Sequence, residues 1–483
     1  MRSGSRAKKH RRSAETLTFP VLCGVFLLVL EGCAVGPDYH KPQMDAPATW
    51  STPAPENAAP AGTAEVTHWW TLFNDPELTS LIESAEAGNT DLKLAETRIR
   101  ESRAERRVLA SEAAPSVDAS GSLKRSHNSE NGSTSRPKNL FQAGFDASWE
   151  IDVFGAVRRA VEQADATVEA AEEDRRDVLV VLLAEVAKNY MEVRGTQLRL
   201  DIANRNIESQ TQTLELARAR FAAGLSASLE VAQAEAQLAT TQSKPPLLES
   251  SLQQSIHRLG VLLGFQPETL LEELSSAKPM PADPPEVPIG IPSDILRRRP
   301  DIRRAERQLA AATAGIGVAT AELFPRFSIT AALGLQSKGP ATFLRPDSHF
   351  WTIGPDMTWP IFNAGKIRAK IEIKNIQQEQ AFIQYQKAIL DSLEDVENAL
   401  TAYSKQKASL EAASRAVKAN ERAYEIAEEL YSRGLVDFLN VLDAMRSMQQ
   451  AQDQEAETEQ AVRTNLVALF KALGGGWELE DES

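Results

Sequence analysis

The chain has 483 residues, enough for two or three ordinary domains, with 53 Lys and Arg against 67 Asp and Glu and a formal net charge of −14. Residues 1–32 hold six basic and two acidic side chains, so the remainder carries about −18, a surface that repels a phosphate backbone and excludes nucleic-acid binding. Of the 2 cysteines, Cys23 lies in an apolar leader, so a processed chain retains only Cys33 and forms no internal disulfide.

From the N-terminus, basic residues end at Arg12 and an apolar run follows from about Leu17 to Leu30. It is too short for a comfortable transmembrane helix and has the flanks of a secretory leader. Leu30-Glu31-Gly32-Cys33 resembles a bacterial lipobox, with Glu31 departing from the usual small or uncharged residue. Cys33 is the expected lipid-attachment residue after removal of 1–32, and Ala34 next to it, by resemblance to sorted lipoproteins, favours the outer membrane. An acylated extended segment is expected over 33–75.

A helix rich in Ala, Glu, Arg and Leu is expected from about Pro76 to Ala114. Two alternating segments follow. Val117, Ala119 and Leu123 share one phase. Phe141, Ala143, Phe145, Ala147, Trp149, Ile151 and Val153 alternate with Gln142, Gly144, Asp146, Ser148, Glu150 and Asp152. Period two over this length puts one face in an apolar and one in a polar medium, and the length fits a tilted membrane strand of roughly 9–11 residues. Acidic residues on the polar phase suit a water-filled lumen, and Trp near strand ends suits an aromatic girdle. A Pro-free stretch then runs from about Ala156 to Phe221, ~100 Å at the helical rise of ~1.5 Å per residue, with a narrow stripe (Val178, Leu182, Val186, Val193, Leu200) suited to coiled-coil packing. It turns at Gly224, whose type suits the left-handed end of a helix, and a return helix starts near Ala227.

The whole succession then recurs at a constant shift of 210 residues, pairing Asp91 with Asp301, Pro115 with Pro325, Trp149 with Trp359, Gly224 with Gly434 and Gly264 with Gly474. The second copy has Phe327, Ile329, Ala331, Leu333 and Leu335 on one strand and Trp351, Ile353, Met357, Trp359 and Ile361 on the next. Pro355 is expected at a bulge or an unpaired position. A long helix runs from about Lys366 to Arg433, a turn lies at Gly434, and a return helix starts near Phe438. The division is a first repeat over 76–264, a Pro-rich connector over 265–292, a second repeat over 293–474 and a tail over 475–483. Four strands cannot close a membrane barrel, whose smallest examples have about eight, and lipid does not tolerate open edges. The chain must therefore form a ring; two copies supply eight strands and three supply twelve, and spacing does not choose.

An enzyme is disfavoured: the 6 His are scattered without metal-ligand spacing, and Gly315-Ile316-Gly317 falls inside a helix with a counterpart in the other half. No catalytic or metal residue is expected, and no cofactor beyond the lipid on Cys33. A periplasmic adaptor also carries a long helical hairpin, but not four alternating strands.

Cys33-Ala34-Val35-Gly36-Pro37-Asp38-Tyr39, the run from His68-Trp69-Trp70 to Asp75-Pro76-Glu77-Leu78, Trp149-Glu150-Ile151-Asp152-Val153-Phe154-Gly155, and the run from Gly434-Leu435 to Leu442-Asp443 are similar to motifs of the outer membrane efflux protein family. This is the family of TolC-like channels, and the likeness is to its NodT-type lipoprotein branch across essentially the whole mature chain. The resemblance implies a mixed α/β membrane channel. Four transmembrane strands per chain would complete a trimeric 12-stranded β-barrel, continuous with a long periplasmic α-helical barrel. It implies a homotrimer in outer-membrane lipid, a periplasmic adaptor (membrane fusion) protein and an inner-membrane pump of RND type. It assigns adaptor contact to Gly224, Leu225, Ser226, Arg433, Gly434 and Leu435, and the periplasmic gate to Leu439 and Asp443, with Arg446 one turn on and Tyr431 before the turn. Leu439 reads otherwise as a core position and Asp443 as a solvated one. The implied role is the passive exit duct of a tripartite drug-efflux system; type I protein secretion or metal-ion efflux could use the same fold. The halves differ at Asp443, which aligns with Gln233.

Overall fold

The computed structural model describes residues 34–44, 47–52, 58–59, 66–127, 129, 137–284, 287–289 and 292–478. The expected leader 1–32 and Cys33 itself lie outside the described residues.

Asp75 starts the helical part of the chain. Its carboxylate accepts from the backbone N–H groups of Glu77 and Leu78 at 2.9 and 3.1 Å, and Pro76 occupies the first turn, where its missing N–H costs nothing. The single helix expected up to Ala114 is two, α1 (Pro76–Gly88) and α2 (Thr90–Ser111). The break has a local cause. Asn89 accepts from the N–H of Leu92 at 2.9 Å, starting a new helix, and donates to the carbonyl of Leu262 at 2.8 Å. A Cβ on Gly88 would lie 2.0 Å from the carbonyl oxygen of Leu263, so that crossing admits only glycine.

Strands β1 (Ser116–Ser126) and β2 (Lys138–Ile151) precede α3 (Ala156–Ala222), α4 (Ser228–Gln242) and α5 (Pro245–Leu262). The second half gives α6 (Pro300–Ala321), β3 (Arg326–Ser337), β4 (His349–Thr358), α7 (Lys366–Ser432) and α8 (Phe438–Ala472). Both long helices have 67 residues. The return path is one helix in the second half and two in the first, where Pro245 and Pro246 supply no N–H to continue α4. Ala58–Ala59 of the N-terminal segment pairs in parallel with Val287–Pro288 of the connector.

The four longer strands form one antiparallel sheet in the order β1-β2-β3-β4. The two hairpins have the same register: adding 210 to both members of the pair Ser116↔Ser148 gives Arg326↔Thr358, the first pair of the second hairpin. Two strand expectations need correction. β4 ends at Thr358, before Trp359 and Pro360, so Trp359 and Ile361 lie beyond the ladder. Pro355 makes no bulge and pairs in register with Ile329; in the single chain β4 is an edge strand, where a missing N–H is tolerated.

The chain divides into two compact units. One holds the residues up to Pro42, Ile99–Ala171 and Ala305–Tyr385, and contains the sheet. Phe154 stacks on Phe324 there, with centroids 4.5 Å apart. The other holds Gln43–Arg98, Glu172–Arg304 and Gln386–Ser483. Its core includes Trp69 stacked on Phe470 at 5.2 Å, and a buried polar knot. In that knot Arg194, 0% exposed, donates to Glu77 at 2.5 Å, and the Tyr190 hydroxyl donates to Asp75 at 2.7 Å. The residues after α8 are packed as far as Trp477, whose buried ring lies under the guanidinium carbons of Arg176 and Arg303 at 4.9 and 5.5 Å. No described helix is long and apolar enough to cross a membrane.

Candidate functional site

In the sheet, paired residues share a face, so the register sorts every side chain. One face carries the row Val117, Ala147, Ala331, Ile353, the row Ala119, Phe145, Leu333, Trp351, and the row Ile151, Phe327, Met357. Val117, Leu123, Phe145, Leu333, Trp351, Ile353 and Met357 are exposed on it. An exposed apolar surface of this extent is unfavourable in water and natural against lipid. The opposite face carries Asp118 beside Asp146, and Glu150, Ser328 and Asp356 in one row; Ser120 donates its hydroxyl to Asp146 at 2.6 Å. Gly144 and Gly334 face each other on this polar side, where a Cβ on Gly334 would lie 2.4 Å from the carbonyl oxygen of Ala143.

Beside the sheet, the segment after Cys33 is held in place. Val35 donates its N–H to Phe154 at 3.1 Å, and the buried Arg159 donates to the carbonyl of Val35 at 3.2 Å and to Asp38 at 2.6 Å. That hydrogen bond and charge hold the Asp38 carboxyl below its usual range. Gly36, at φ +99°, lies where a Cβ would come within 2.5 Å of the Gly317 Cα. The Tyr39 hydroxyl donates to Glu306 at 2.5 Å, and Lys41 pairs with Glu306 at 3.5 Å. The anchors Arg159, Glu306 and Gly317 were missed in the sequence because they lie more than 120 residues from their partners; the motif around Tyr39 was the available signal.

In the other unit, α3 and α7 end in the same way. Gly224 and Gly434 have φ of +70° and +75°. Leu225 donates its N–H to Arg220 and Leu435 to Leu430, each at 2.9 Å, which is the Schellman closure of a helix end. Nothing lies within 4 Å of a Cβ built on either glycine. Leu225, Arg433 and Leu435 are exposed and Ser226 is half-buried.

Helix α8 buries Phe438, Val441, Leu442, Met445 and Met448 in a cluster with Leu214, Ala217 and Ala234. Leu439 faces away from it at 60% exposure, so it is no core residue in the single chain, and Asp443 and Arg446 are exposed with it. Arg446 donates to the side-chain carbonyl of Gln237 on α4 at 2.7 Å. Tyr431 differs from these three. It is buried at 3% exposure, and its hydroxyl donates to Glu230 at 2.6 Å while the Arg220 guanidinium lies 4.5 Å from its ring centre. Burial and the bond to the Glu230 carboxylate push the Tyr431 hydroxyl up to about 12. Tyr431 thus ties the turn after α7 to the start of α4, and Glu230 and Arg220 are its partners, which spacing alone did not reveal. Among the described residues no group of three or more His, Cys, Asp or Glu is placed to hold a metal.

A family model described as outer membrane efflux protein matches residues 81–265 and 291–475. The chain is 32% identical over 465 residues to Nodulation protein T of Rhizobium leguminosarum bv. trifolii, covering 94% of this chain and 96% of that one. It is 32% identical over 463 residues to the Solvent efflux pump outer membrane protein SrpC of Pseudomonas putida, covering 94% and 97%. The solved outer-membrane channel OprN superposes with a TM-score of 0.86 at 36% identity, over 92% of this chain and 100% of that one.

Proposed function

The chain belongs to the outer membrane efflux protein family, and we propose that three copies close one duct that passively conducts drugs or other small toxic compounds from a pump and its adaptor to the exterior. It is an outer-membrane efflux channel with a TolC-like fold. The observation that carries the finer reading is the four-stranded sheet with an exposed apolar face, an acidic opposite face and two unpaired edges. In lipid such edges must be paired, and twelve strands from three copies are enough for a closed barrel.

The remaining roles follow from that reading. Cys33 carries the lipid; Ala34 beside it lies against Gly155, just past the end of β2, which supports an acyl chain inserted next to the strands. The turns at Gly224, Leu225 and Ser226 and at Arg433, Gly434 and Leu435 receive the adaptor of an RND-type pump, and their exposed leucines and open glycines support this. Leu439 and Asp443 form the periplasmic gate: three Leu439 side chains make an apolar constriction, and three Asp443 carboxylates repel anions and concentrate cations. Arg446 and Tyr431 brace that gate through Gln237 and Glu230.

The test is expulsion of an amphiphilic fluorescent dye by cells with and without the gene. Cells lacking the chain should retain the dye and complemented cells should clear it; equal clearance would overturn the efflux reading.

A further inference from the structure

Where α4 stops at Gln242 and α5 begins at Pro245, the chain leaves a cavity of about 270 Å³ between α3, that break and α8. Ile202, Leu247 and Leu248 give it an apolar wall, and Asn206, Lys244 and Gln449 bring nitrogen donors to it. Arg199 and Asp453 line the same cavity and spend their charges on each other, in two hydrogen bonds of 2.8 and 3.1 Å. The exposed Lys244 side chain makes no hydrogen bond or ion pair among the described residues, so the cavity carries one uncompensated positive charge at its rim.

A relay of side chains from outside the cavity fixes what it lacks. The Arg446 guanidinium can only donate. It donates to the side-chain oxygen of Gln237 at 2.7 Å, so Gln237 turns its amide nitrogen to Gln449 and donates to Oε1 there at 3.4 Å. The oxygen of Gln449 is thereby engaged. Its Nε2 has no partner, although the residue is only 6% exposed. Turning the Gln449 amide over would set two nitrogen donors against each other. A buried donor left without an acceptor is costly, so the cavity calls for an oxygen, and Lys244 favours one that is charged.

We propose that this cavity binds a small organic monocarboxylate, with its carboxylate taken by the Gln449 amide and the Lys244 ammonium and its apolar part against Ile202, Leu247 and Leu248. The duplication does not demand these groups. One repeat away, Asn206, Lys244 and Gln449 have the counterparts Ala416, Gln454 and Ala239, and the apolar Leu247 has Glu457. The donor set therefore occurs once in the chain, at the one return helix that is broken, and building the duct twice over did not require it. The site stands independently of the gate assigned to Leu439 and Asp443.

Calorimetric titration of the full chain in detergent tests the site, with benzoate as the probe and benzamide as its uncharged counterpart of the same shape. Benzoate should bind saturably at millimolar concentration, and benzamide at least about tenfold more weakly. Gln449→Glu replaces the unpartnered donor by an acceptor, and Lys244→Met removes the rim charge; each should lower benzoate affinity at least about tenfold. Lys244 is exposed, so Lys244→Met gives the answer even if Gln449→Glu fails to fold. Arg446→Leu lies outside the cavity and should still weaken benzoate severalfold, because the Gln237 and Gln449 amides are then free to turn over. Unchanged affinity in Arg446→Leu overturns the relay. Benzamide binding as tightly as benzoate overturns the carboxylate. Equal heats from the native and Lys244→Met chains mean partition into detergent only, and no saturable heat from the native chain means a cavity filled by water only; either result overturns the site.

Discussion

The indole N–H of Trp149 donates to the main-chain carbonyl of Ala113 at 2.9 Å. Its repeat counterpart Trp359 donates to Leu323 at 3.0 Å, and both acceptors lie just past the end of a helix, where carbonyls lack helical partners. The tryptophans are therefore pins as well as surface aromatics. Trp149→Phe keeps most of the ring and removes the donor, at about 1 kcal/mol per bond. The double change with Trp359→Phe should lower the temperature at which the assembled protein dissociates in detergent, read from gel mobility after heating. An unchanged transition would show that the pins carry no stability.

Ion pairs in this chain should differ sharply in worth. Arg194 is fully buried and Glu77 nearly so, whereas Arg218 and Glu235 are both about half exposed. Arg194→Ala leaves Glu77 with Lys278 and Tyr190 only and should cost about 3 kcal/mol or more. Arg218→Ala should cost under ~1 kcal/mol. Denaturant midpoints of the two variants decide it, and equal midpoints would contradict the burial argument.

At the proposed gate, Leu439→Ala with Asp443→Ala should leave assembly intact and raise single-channel conductance severalfold in planar bilayers. Asp443→Asn alone should reduce the preference for cations over anions. Unchanged conductance and selectivity would remove both residues from the gate.

Tyr431→Phe should loosen the same region without touching its exposed face, because only the hydroxyl bond to Glu230 is lost. The expected result is a larger open fraction in bilayer recordings with normal yield in the membrane. Because the hydroxyl is held up near 12, the tie stays formed across physiological pH and weakens only as pH rises from about 10 toward that value. Gating that shifts between pH 6 and 8 must then come from another group.

Glu397 gives the opposite sign. Burial disfavours its charge, but hydrogen bonds from Thr52 and Ser51, among them their N–H groups donating at 3.0 and 2.6 Å, hold the carboxyl down to about 2. A depressed carboxylate contributes its stabilisation above the unfolded value of roughly 4.3 and loses it as pH falls to about 2. Amide exchange at Ser51 and Thr52, corrected for intrinsic rates, should accelerate across that window and already be faster at neutral pH in Glu397→Gln. Protection that persists below pH 2 would rule out the carboxylate as the anchor.

Much of this architecture could be read from residue order because the repeat step never slips. The Gly224 and Gly434 turns, both long helices and all four strands fall within a few residues of their expected places. The break at Asn89 was also written in the chain, as glycine followed by a capping residue, but helical composition on both sides concealed it. The two-piece return helix was signalled by Pro245 and Pro246. What could not be read is pairing at a distance. Nothing near Cys33 indicates that Arg159 and Glu306 will hold Val35, Asp38 and Tyr39, and nothing near Tyr431 singles out Glu230. Pro355 misled because its strand reads as interior until the sheet order shows it at an edge. At the gate, periodicity alone could not say whether Leu439 was buried; the packing of Phe438, Val441 and Leu442 on the other side of α8 settles that for the single chain.

The congruence of the two hairpins also bears on calibre. The width of a closed sheet depends on how many strands it has and how far each is staggered against the last. Here one offset serves both hairpins of a chain, so the proposed three-copy ring repeats that offset six times. Lengthening or trimming the loops between strands would leave its bore untouched. A residue inserted into one strand, by contrast, would alter the stagger three times over in each ring.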